Sequence, residues 1–433
     1  MPSSLNIVLS QPHGVYHPGC SVSGTAQLNL EEPMMANSLS ISIDGSAFTK
    51  WSKPQVRTIR LFAKTWRSFL NGFWGWRNGV VEIQQYTEHY ATKVVYIKEE
   101  TVVWTAPHGA EVLNAGSHKF PFAFTLPENC PPSFESSYGY IRYLIKLELD
   151  RPWFFNTTDK KLFTVIPVFD LNATPQMIEP ITGVKANNLG VALFKHGKVT
   201  MEYEIPKSGF APGEMIVVNL KINNESTKVV TRARVKLMEN SRYVAFPTWE
   251  TETLPPGTFL NGRGDQEELS RKIATGEQKI FIDSYKTGKA QIYLQVPPTV
   301  PSFSTCPIIA VDYVLDIKLE TNGTLNRNVE TTHPITVGTI PVSTPTPDTQ
   351  PSAPPLDSPA GPTVEPSAPP IEKSGEPQDT PKIYPIYPPL PPPSYEESVN
   401  GVDGTSLDAG DMERYVPCYP FYALPSKISK TND

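Results

Sequence analysis

Val311-Asp312-Tyr313-Val314-Leu315-Asp316-Ile317-Lys318-Leu319-Glu320 decides the fold class of this chain. Side chains of an extended strand point to opposite faces at successive residues, so Val311, Tyr313, Leu315, Ile317 and Leu319 share one apolar face. Asp312, Asp316, Lys318 and Glu320 share the other. Such a strand lays one face on a core and the other in water, as antiparallel sheets do. The same alternation recurs in Tyr143, Ile145, Leu147 and Leu149, in Ile216, Val218, Leu220 and Ile222, and in Ala290, Ile292, Leu294 and Val296. Turn dipeptides punctuate these runs at Asp44-Gly45, Pro212-Gly213, Pro256-Gly257 and Asn322-Gly323. The expectation is an all-β protein made of antiparallel β-sandwiches.

A chain of 433 residues exceeds one ordinary domain. Pro167, Pro175 and Pro180 break the strand pattern, which places a sandwich at 5–165, a linker at 166–182 and a second sandwich at 183–341. Of the 46 prolines, 22 fall in 341–433, where the alternation is lost, so 342–433 reads as a disordered proline-rich tail.

Longer stretches carry a resemblance. Gly116-Ser-His-Lys-Phe-Pro-Phe-Ala-Phe-Thr-Leu-Pro127, Pro132-Ser-Phe-Glu135, Gly139-Tyr-Ile-Arg-Tyr143 and Leu149-Asp-Arg-Pro-Trp153 resemble the signature of arrestin N-domains, specifically those of the α-arrestins. Ser208-Gly-Phe-Ala-Pro-Gly-Glu214, the stretch from Pro298 to Asp312 and Pro334-Ile-Thr-Val-Gly-Thr-Ile-Pro341 resemble the family's C-domain landmarks. The resemblance implies an arrestin N and an arrestin C sandwich over about residues 5–341, with a non-enzymatic adaptor role. Read physically, Phe120, Phe122, Phe124 and Leu126 alternate with Pro121, Ala123 and Thr125, which makes the aromatic row core packing. In Asp150-Arg151-Pro152-Trp153 a charged pair ends a strand at a proline, which suggests a structural ion pair.

Charge and cysteine usage exclude several classes of function. A net charge of −6 opposes nucleic-acid binding, which needs a basic surface. Cys20, Cys130, Cys306 and Cys418 are far apart and read as reduced thiols. MPSSLNIVLSQPHG lacks the basic and apolar regions of a signal peptide, and no uncharged apolar run reaches membrane-span length. The expected location is therefore cytoplasmic, with recruitment to plasma membrane and endosomes. On that footing the sequons at Asn156, Asn172, Asn224 and Asn322 and the Arg263-Gly264-Asp265 tripeptide read as strand-end and turn residues.

No nucleophile elbow, phosphate loop, dinucleotide fingerprint or zinc-protease helix occurs, and no cofactor is expected. His13, His17 and Cys20 offer metal-ligand chemistry. Residues four apart on a strand lie about 13 Å apart, however, and Gly14, Pro18 and Gly19 oppose a helix, so this reads as a strand, a turn and a half-buried cysteine.

Between residues 53 and 77 bases interleave with aromatics, and no acid appears until Glu82. Placed on a helix, Ile59, Phe62, Trp66, Phe69 and Leu70 share a face opposite Arg57, Arg60, Lys64 and Arg67, the composition of an interfacial helix. Three readings are compatible with it: a helix packed on the first sheet, membrane contact through Arg57, Arg60, Phe62, Lys64, Trp66, Arg67 and Phe69, or an acidic or phosphorylated partner.

The tail is chemically legible. Pro392-Pro393-Ser394-Tyr395 presets a polyproline II turn, and Tyr395 adds a second anchor, the ligand form that WW domains take. Pro351-Ser352-Ala353-Pro354 and Pro366-Ser367-Ala368-Pro369 are duplicate PSAP tetrapeptides, similar to the motif that the UEV domain of ESCRT-I takes in a narrow groove. Within the α-arrestin resemblance these motifs imply recruitment of a WW-domain HECT-type E3 ubiquitin ligase and of ESCRT-I to a transmembrane receptor or transporter cargo. The alternative is a thiol-linked, thioredoxin-binding regulator of the same fold. Tyr387-Pro-Pro-Leu390 fits a tyrosine-sorting pattern only loosely, and Arg414 to Tyr422 reads either as another linear motif or as a strand that docks on the body.

Overall fold

The computed structural model describes residues 4–61, 80–107, 109–191, 194–250, 253–258, 260, 264–323, 328–342, 393–398 and 415–422. The first half holds β1 (Ser4–Leu9), β2 (Val15–Tyr16), β3 (Ser21–Leu30), β4 (Met34–Ala36), β5 (Ser38–Leu61), β6 (Val80–Thr105), β7 (Glu111–Leu113), β8 (Gly116–Thr125), β9 (Phe134–Glu135), β10 (Gly139–Asp150) and β11 (Thr157–Val165). Two 3-10 turns, Leu171–Ala173 and Pro175–Met177, lead into the second half. There follow β12 (Ile181–Val191), β13 (Phe194–Ile205), β14 (Gly209–Phe210), β15 (Met215–Ser226), β16 (Val230–Ala245), β17 (Thr253–Leu254), β18 (Asp265–Ile282), β19 (Lys286–Gln295), β20 (Ile309–Thr321) and β21 (Val329–Val337). The tail adds β22 (Ser394–Glu397) and β23 (Cys418–Phe421).

Each half is a two-sheet sandwich. In the first lobe the sheet β1-β3-β8 faces the sheet β6-β5-β10-β11-β2; in the second, β12-β13-β15-β19 faces β14-β21-β20-β16-β18. The alternation read from the sequence is the packing: Val311, Tyr313, Leu315, Ile317 and Leu319 are buried, as are Tyr143, Ile145, Leu147 and Leu149. Each such side chain contributes about 1.5–3 kcal/mol by leaving water. Phe122, Phe124 and Leu126 are buried as well, and Phe122 and Phe124 pack ring to ring at 6.1 Å.

Three expectations are corrected. Asp44-Gly45 is no turn: it lies inside β5, where Gly45 stands opposite Tyr143. A Cβ on Gly45 would come within 2.5 Å of that ring, so the glycine serves a close approach rather than a reversal. Second, residues 57–61 are not helical. They end β5, paired with β6 from Arg57↔Gln84 to Leu61↔Val80. Val56, Thr58 and Ile59 favour extended backbone, and β6 supplies the ladder that a helical wheel ignores. β10 stops opposite Thr49, so Pro54 lies where β5 has a single neighbour and proline is tolerated. Phe62, Lys64, Trp66, Arg67 and Phe69 lie outside the described residues, and the helix that set Arg57 and Arg60 on the face opposite the aromatics does not form at 57–61. Third, Asp150 and Arg151 form no ion pair among the described residues. Asp150 accepts from Asn37 Nδ2 at 3.1 Å, and the Arg151 guanidinium lies 4.7 Å from the Phe154 ring.

The two lobes are sewn together by side chains and backbone. Leu254 of β17 pairs with Val94 of β6, so the second lobe lends a strand to the first lobe's sheet. Thr49 Oγ1 donates to the Val244 carbonyl at 2.7 Å, and Trp51 Nε1 donates to Asp265 Oδ2 at 2.8 Å. Lys53, the first base of the basic stretch, bonds Asp265 at 2.5 Å and Glu267 at 2.8 Å. Phe134 meets Phe303 edge-on at 6.1 Å, and Tyr243 Oη donates to Ser136 Oγ at 2.6 Å.

Two carboxylates are buried near this boundary, each with an arginine. Glu135 Oε1 and Oε2 accept from Arg142 Nε and Nη2 at 2.6 and 2.9 Å. Glu239, 0% exposed, accepts from Arg271 Nε at 2.8 Å and Nη2 at 2.7 Å, and from the Thr299 and Tyr313 hydroxyls at 3.3 Å each. Burial raises the Glu135 carboxyl above its usual range, and Arg142 opposes the shift. Removing one partner of a buried ion pair costs more than replacing both by apolar groups. Arg271→Met should therefore destabilise the chain by about 3 kcal/mol, and adding Glu239→Gln should recover more than half of that loss, as read from denaturant unfolding midpoints.

Candidate partner-binding site on the tail

Of the recruitment residues singled out in the sequence, Pro393 and Tyr395 are described. Pro392 and both PSAP copies, Pro351 to Pro354 and Pro366 to Pro369, lie outside the described residues. Two short pieces of the tail are ordered, which refines its reading as unfolded chain and resolves the choice left open for 414–422. Ser394–Glu397 is a strand, β22, and it pairs antiparallel with Cys418–Phe421, β23. The register runs Ser394↔Phe421, Tyr395↔Pro420, Glu396↔Tyr419 and Glu397↔Cys418.

The aromatic residues after 414 hold this pair to the body. Tyr415 Oη donates to the Phe163 carbonyl at 2.9 Å and lies 3.0 Å from Thr164 Oγ1, which also accepts from the Cys418 amide at 3.2 Å. Tyr419, 2% exposed, donates from Oη to the Ser133 carbonyl at 2.8 Å. Tyr422 uses both of its donors: its amide reaches the Pro212 carbonyl at 3.0 Å and its Oη reaches the Thr339 carbonyl at 2.8 Å. Ser133, Phe163 and Thr164 belong to the first lobe, Pro212 and Thr339 to the second. The tail thus bridges the lobe boundary with buried phenols.

Burial pushes all three phenols up, Tyr422 to about 12 and Tyr415 and Tyr419 further, so each stays a neutral donor near neutrality. For Tyr419 the Tyr415 phenol and the Glu239 carboxylate add to the rise from burial while Arg271 opposes it. The receiving turn is built for the purpose. Glu214 takes the Ala211 amide at 2.7 Å and Lys207 Nζ at 2.7 Å, fixing Ala211-Pro212-Gly213. Gly213 has φ +96°, and a Cβ there would fall 2.1 Å from the Tyr422 carbonyl oxygen.

Tyr395 itself is half-buried, its ring centroid 5.9 Å from that of His13. In the same stretch His17 Nδ1 bonds the Ile166 carbonyl at 2.7 Å, and Cys20 is exposed rather than half-buried as expected; no metal-ligand cluster occurs among the described residues. The sequence reading missed Ser133, Thr164, Thr339 and His13 as receivers of the tail. Their hydroxyls, carbonyls and ring carry no pattern of their own; Pro212-Gly213 was visible, but only as a turn.

Residues 5–172 match the arrestin (or S-antigen) N-terminal domain and residues 195–342 match the arrestin (or S-antigen) C-terminal domain. This chain belongs to the α-arrestin family. Arrestin domain-containing protein 17 of Caenorhabditis elegans is 28% identical over 336 residues, 77% of this chain and 70% of that protein. Human arrestin domain-containing protein 4 is 26% identical over 342 residues, 78% of this chain and 72% of that protein. Mouse arrestin domain-containing protein 1 is 24% identical over 341 residues, covering 78% of this α-arrestin and 64% of the relative. Membership gives the protein an adaptor-type role in general terms. Beyond the two arrestin domains, this α-arrestin carries the motif-bearing strand docked on its body.

Docking demands an unhindered Gly213. Gly213→Ala places a methyl group on the Tyr422 backbone in a conformation that strains L residues by about 1–3 kcal/mol. The half-buried Cys418 should then react with a thiol reagent about tenfold faster than in the wild type, while the buried Cys130 and Cys306 keep their slow rates.

Proposed function

We propose that this α-arrestin is a non-enzymatic adaptor that couples transmembrane receptor or transporter cargo to ubiquitination and membrane sorting. Its body takes the cargo. Pro392-Pro393-Ser394-Tyr395 recruits a WW-domain HECT-type E3 ubiquitin ligase, and the PSAP copies at Pro351 and Pro366 recruit the UEV domain of ESCRT-I. The outcome is ubiquitination of the cargo with endocytic trafficking, protein transport or vesicle budding, at the plasma membrane and endosomes. The observation that carries this reading is the joining of a PPxY and a duplicated PSAP to an arrestin body in one chain.

The chemistry is that of short linear ligands. A polyproline II segment is already extended, so docking on an aromatic groove orders little additional chain. The two PSAP copies, fifteen residues apart, raise the effective local concentration for a single groove without any new contact. Membrane contact through Phe62, Lys64, Trp66, Arg67 and Phe69 remains part of the reading on composition alone: bases with aromatics suit an anionic bilayer. No helix of the described residues is long and apolar enough to cross a membrane.

The thiol-linked alternative has less behind it. Exchange needs a thiolate, and burial pushes the Cys130 thiol up to about 11 and raises those of Cys306 and Cys418, which leaves the exposed Cys20 to carry it.

Pull-down from cell extract separates the two recruitment arms. Tyr395→Ala should lose WW-domain ligases by at least about tenfold and keep UEV binding, since Tyr anchors of this kind carry about 1.4 kcal/mol or more. Changing Pro354 and Pro369 to Ala should do the reverse. Unaltered binding in both variants contradicts the reading.

A further inference from the structure

The Tyr395 motif is docked in a form that a WW domain does not take. WW grooves receive a polyproline II ligand with the prolines and the tyrosine laid on one aromatic surface. Here Ser394–Glu397 is a β-strand whose neighbour is β23, and the Tyr395 ring faces His13 of the same chain at 5.9 Å. Strand pairing and groove binding claim the same backbone and the same ring, so one excludes the other. The partner strand is in turn anchored by Tyr415, Cys418 and Tyr419 on the first lobe and by Tyr422 on the second.

We propose that β22 and β23 form a latch that withholds the Tyr395 motif from WW domains until residues 415–422 leave the lobe boundary. The inference rests on the ligase-recruitment reading above and adds its regulation. Anchors on both lobes make the latch sensitive to their relative position: Ser133 and Thr164 move with one lobe, Pro212 and Thr339 with the other. A shift of about 1 Å at the boundary stretches hydrogen bonds of 2.8–3.2 Å past their useful range on one side. A change in the relative position of the lobes therefore opens the latch, and by linkage a WW domain bound to the tail favours the repositioned lobes.

A ligand site that is open in a fraction f of molecules has its dissociation constant raised by 1/f. The test measures WW-domain binding to a synthetic peptide of residues 388–400, to the full chain, and to full-chain variants. With about a tenth of molecules unlatched, the wild-type chain should bind about tenfold more weakly than the peptide. Tyr419→Ala/Tyr422→Ala should return the full chain to the peptide value.

A second variant does not depend on loosening the fold. Glu397 stands directly opposite Cys418, and opposite residues of an antiparallel pair approach to about 4.5–5.5 Å at Cβ, close to disulfide reach. In a Cys20→Ser background, Glu397→Cys should form a disulfide with Cys418 under oxidised glutathione, lose WW binding, and regain it on reduction. If the peptide binds and the wild-type chain binds equally well, the latch falls while ligase recruitment stands. The latch falls also if the disulfide does not form in the native chain or if the oxidised chain binds as tightly as the reduced one. A peptide that does not bind at all removes the recruitment reading, and the latch with it.

Discussion

A carboxylate taken wholly out of water must find compensating partners, and Glu239 sets the terms for everything around it. Arg271 supplies the charge, while Ser241, Thr299 and Tyr313 supply hydroxyl donors. With the Glu135–Arg142 pair on the first lobe, it adds buried charge near a seam that Thr49, Trp51 and Lys53 already cross with polar contacts. Polar partners fix direction where apolar contact would allow sliding. Tyr243 and Tyr419 each reach the first lobe through a buried hydroxyl, one bonding Ser136 Oγ and the other the Ser133 carbonyl. Each of these buried ion pairs lies within one lobe, and the boundary itself is crossed by Thr49, Trp51, Lys53 and Tyr243 and by the phenols of the tail.

That arrangement gives the tail two incompatible lives. As a strand, β22 trades ligand reach for a ladder with β23; as polyproline II, the same residues suit an aromatic groove. Neither segment is long enough to be stable alone, since an isolated two-strand ribbon is marginal in water. Its stability is lent by the buried phenols of Tyr419 and Tyr422, and these belong to the body as much as to the tail. On the proposed reading, recruitment of a sorting partner is then a property of the whole molecule rather than of a free peptide.

Much of the fold was legible because period-two alternation reports burial directly, as at Val311 to Leu319 and Tyr143 to Leu149. What misled was local patterning read without its neighbours. The bases and aromatics after Lys53 fit a helical wheel, yet β6 offers residues 57–61 a ladder, and Lys53 turns out to answer Asp265 and Glu267, more than two hundred residues away in sequence. Asp44-Gly45 looked like a reversal because a glycine chosen for the Tyr143 ring carries the same letter as one chosen for a turn. The motif at Tyr395 was visible as a linear ligand, whereas its docking was not: Ser133, Thr164 and Thr339 act through carbonyls and hydroxyls that any residue pattern could hide.

Native-state hydrogen exchange on the full chain measures the docked tail most directly, because the amides of Ser398, Cys418 and Tyr422 bond the Pro417 carbonyl, Thr164 Oγ1 and the Pro212 carbonyl. The account predicts slow exchange at all three in the free chain, and faster exchange at all three once a WW domain is added to saturation. Exchange at the rate of an unstructured peptide at all three positions in the free chain would contradict it.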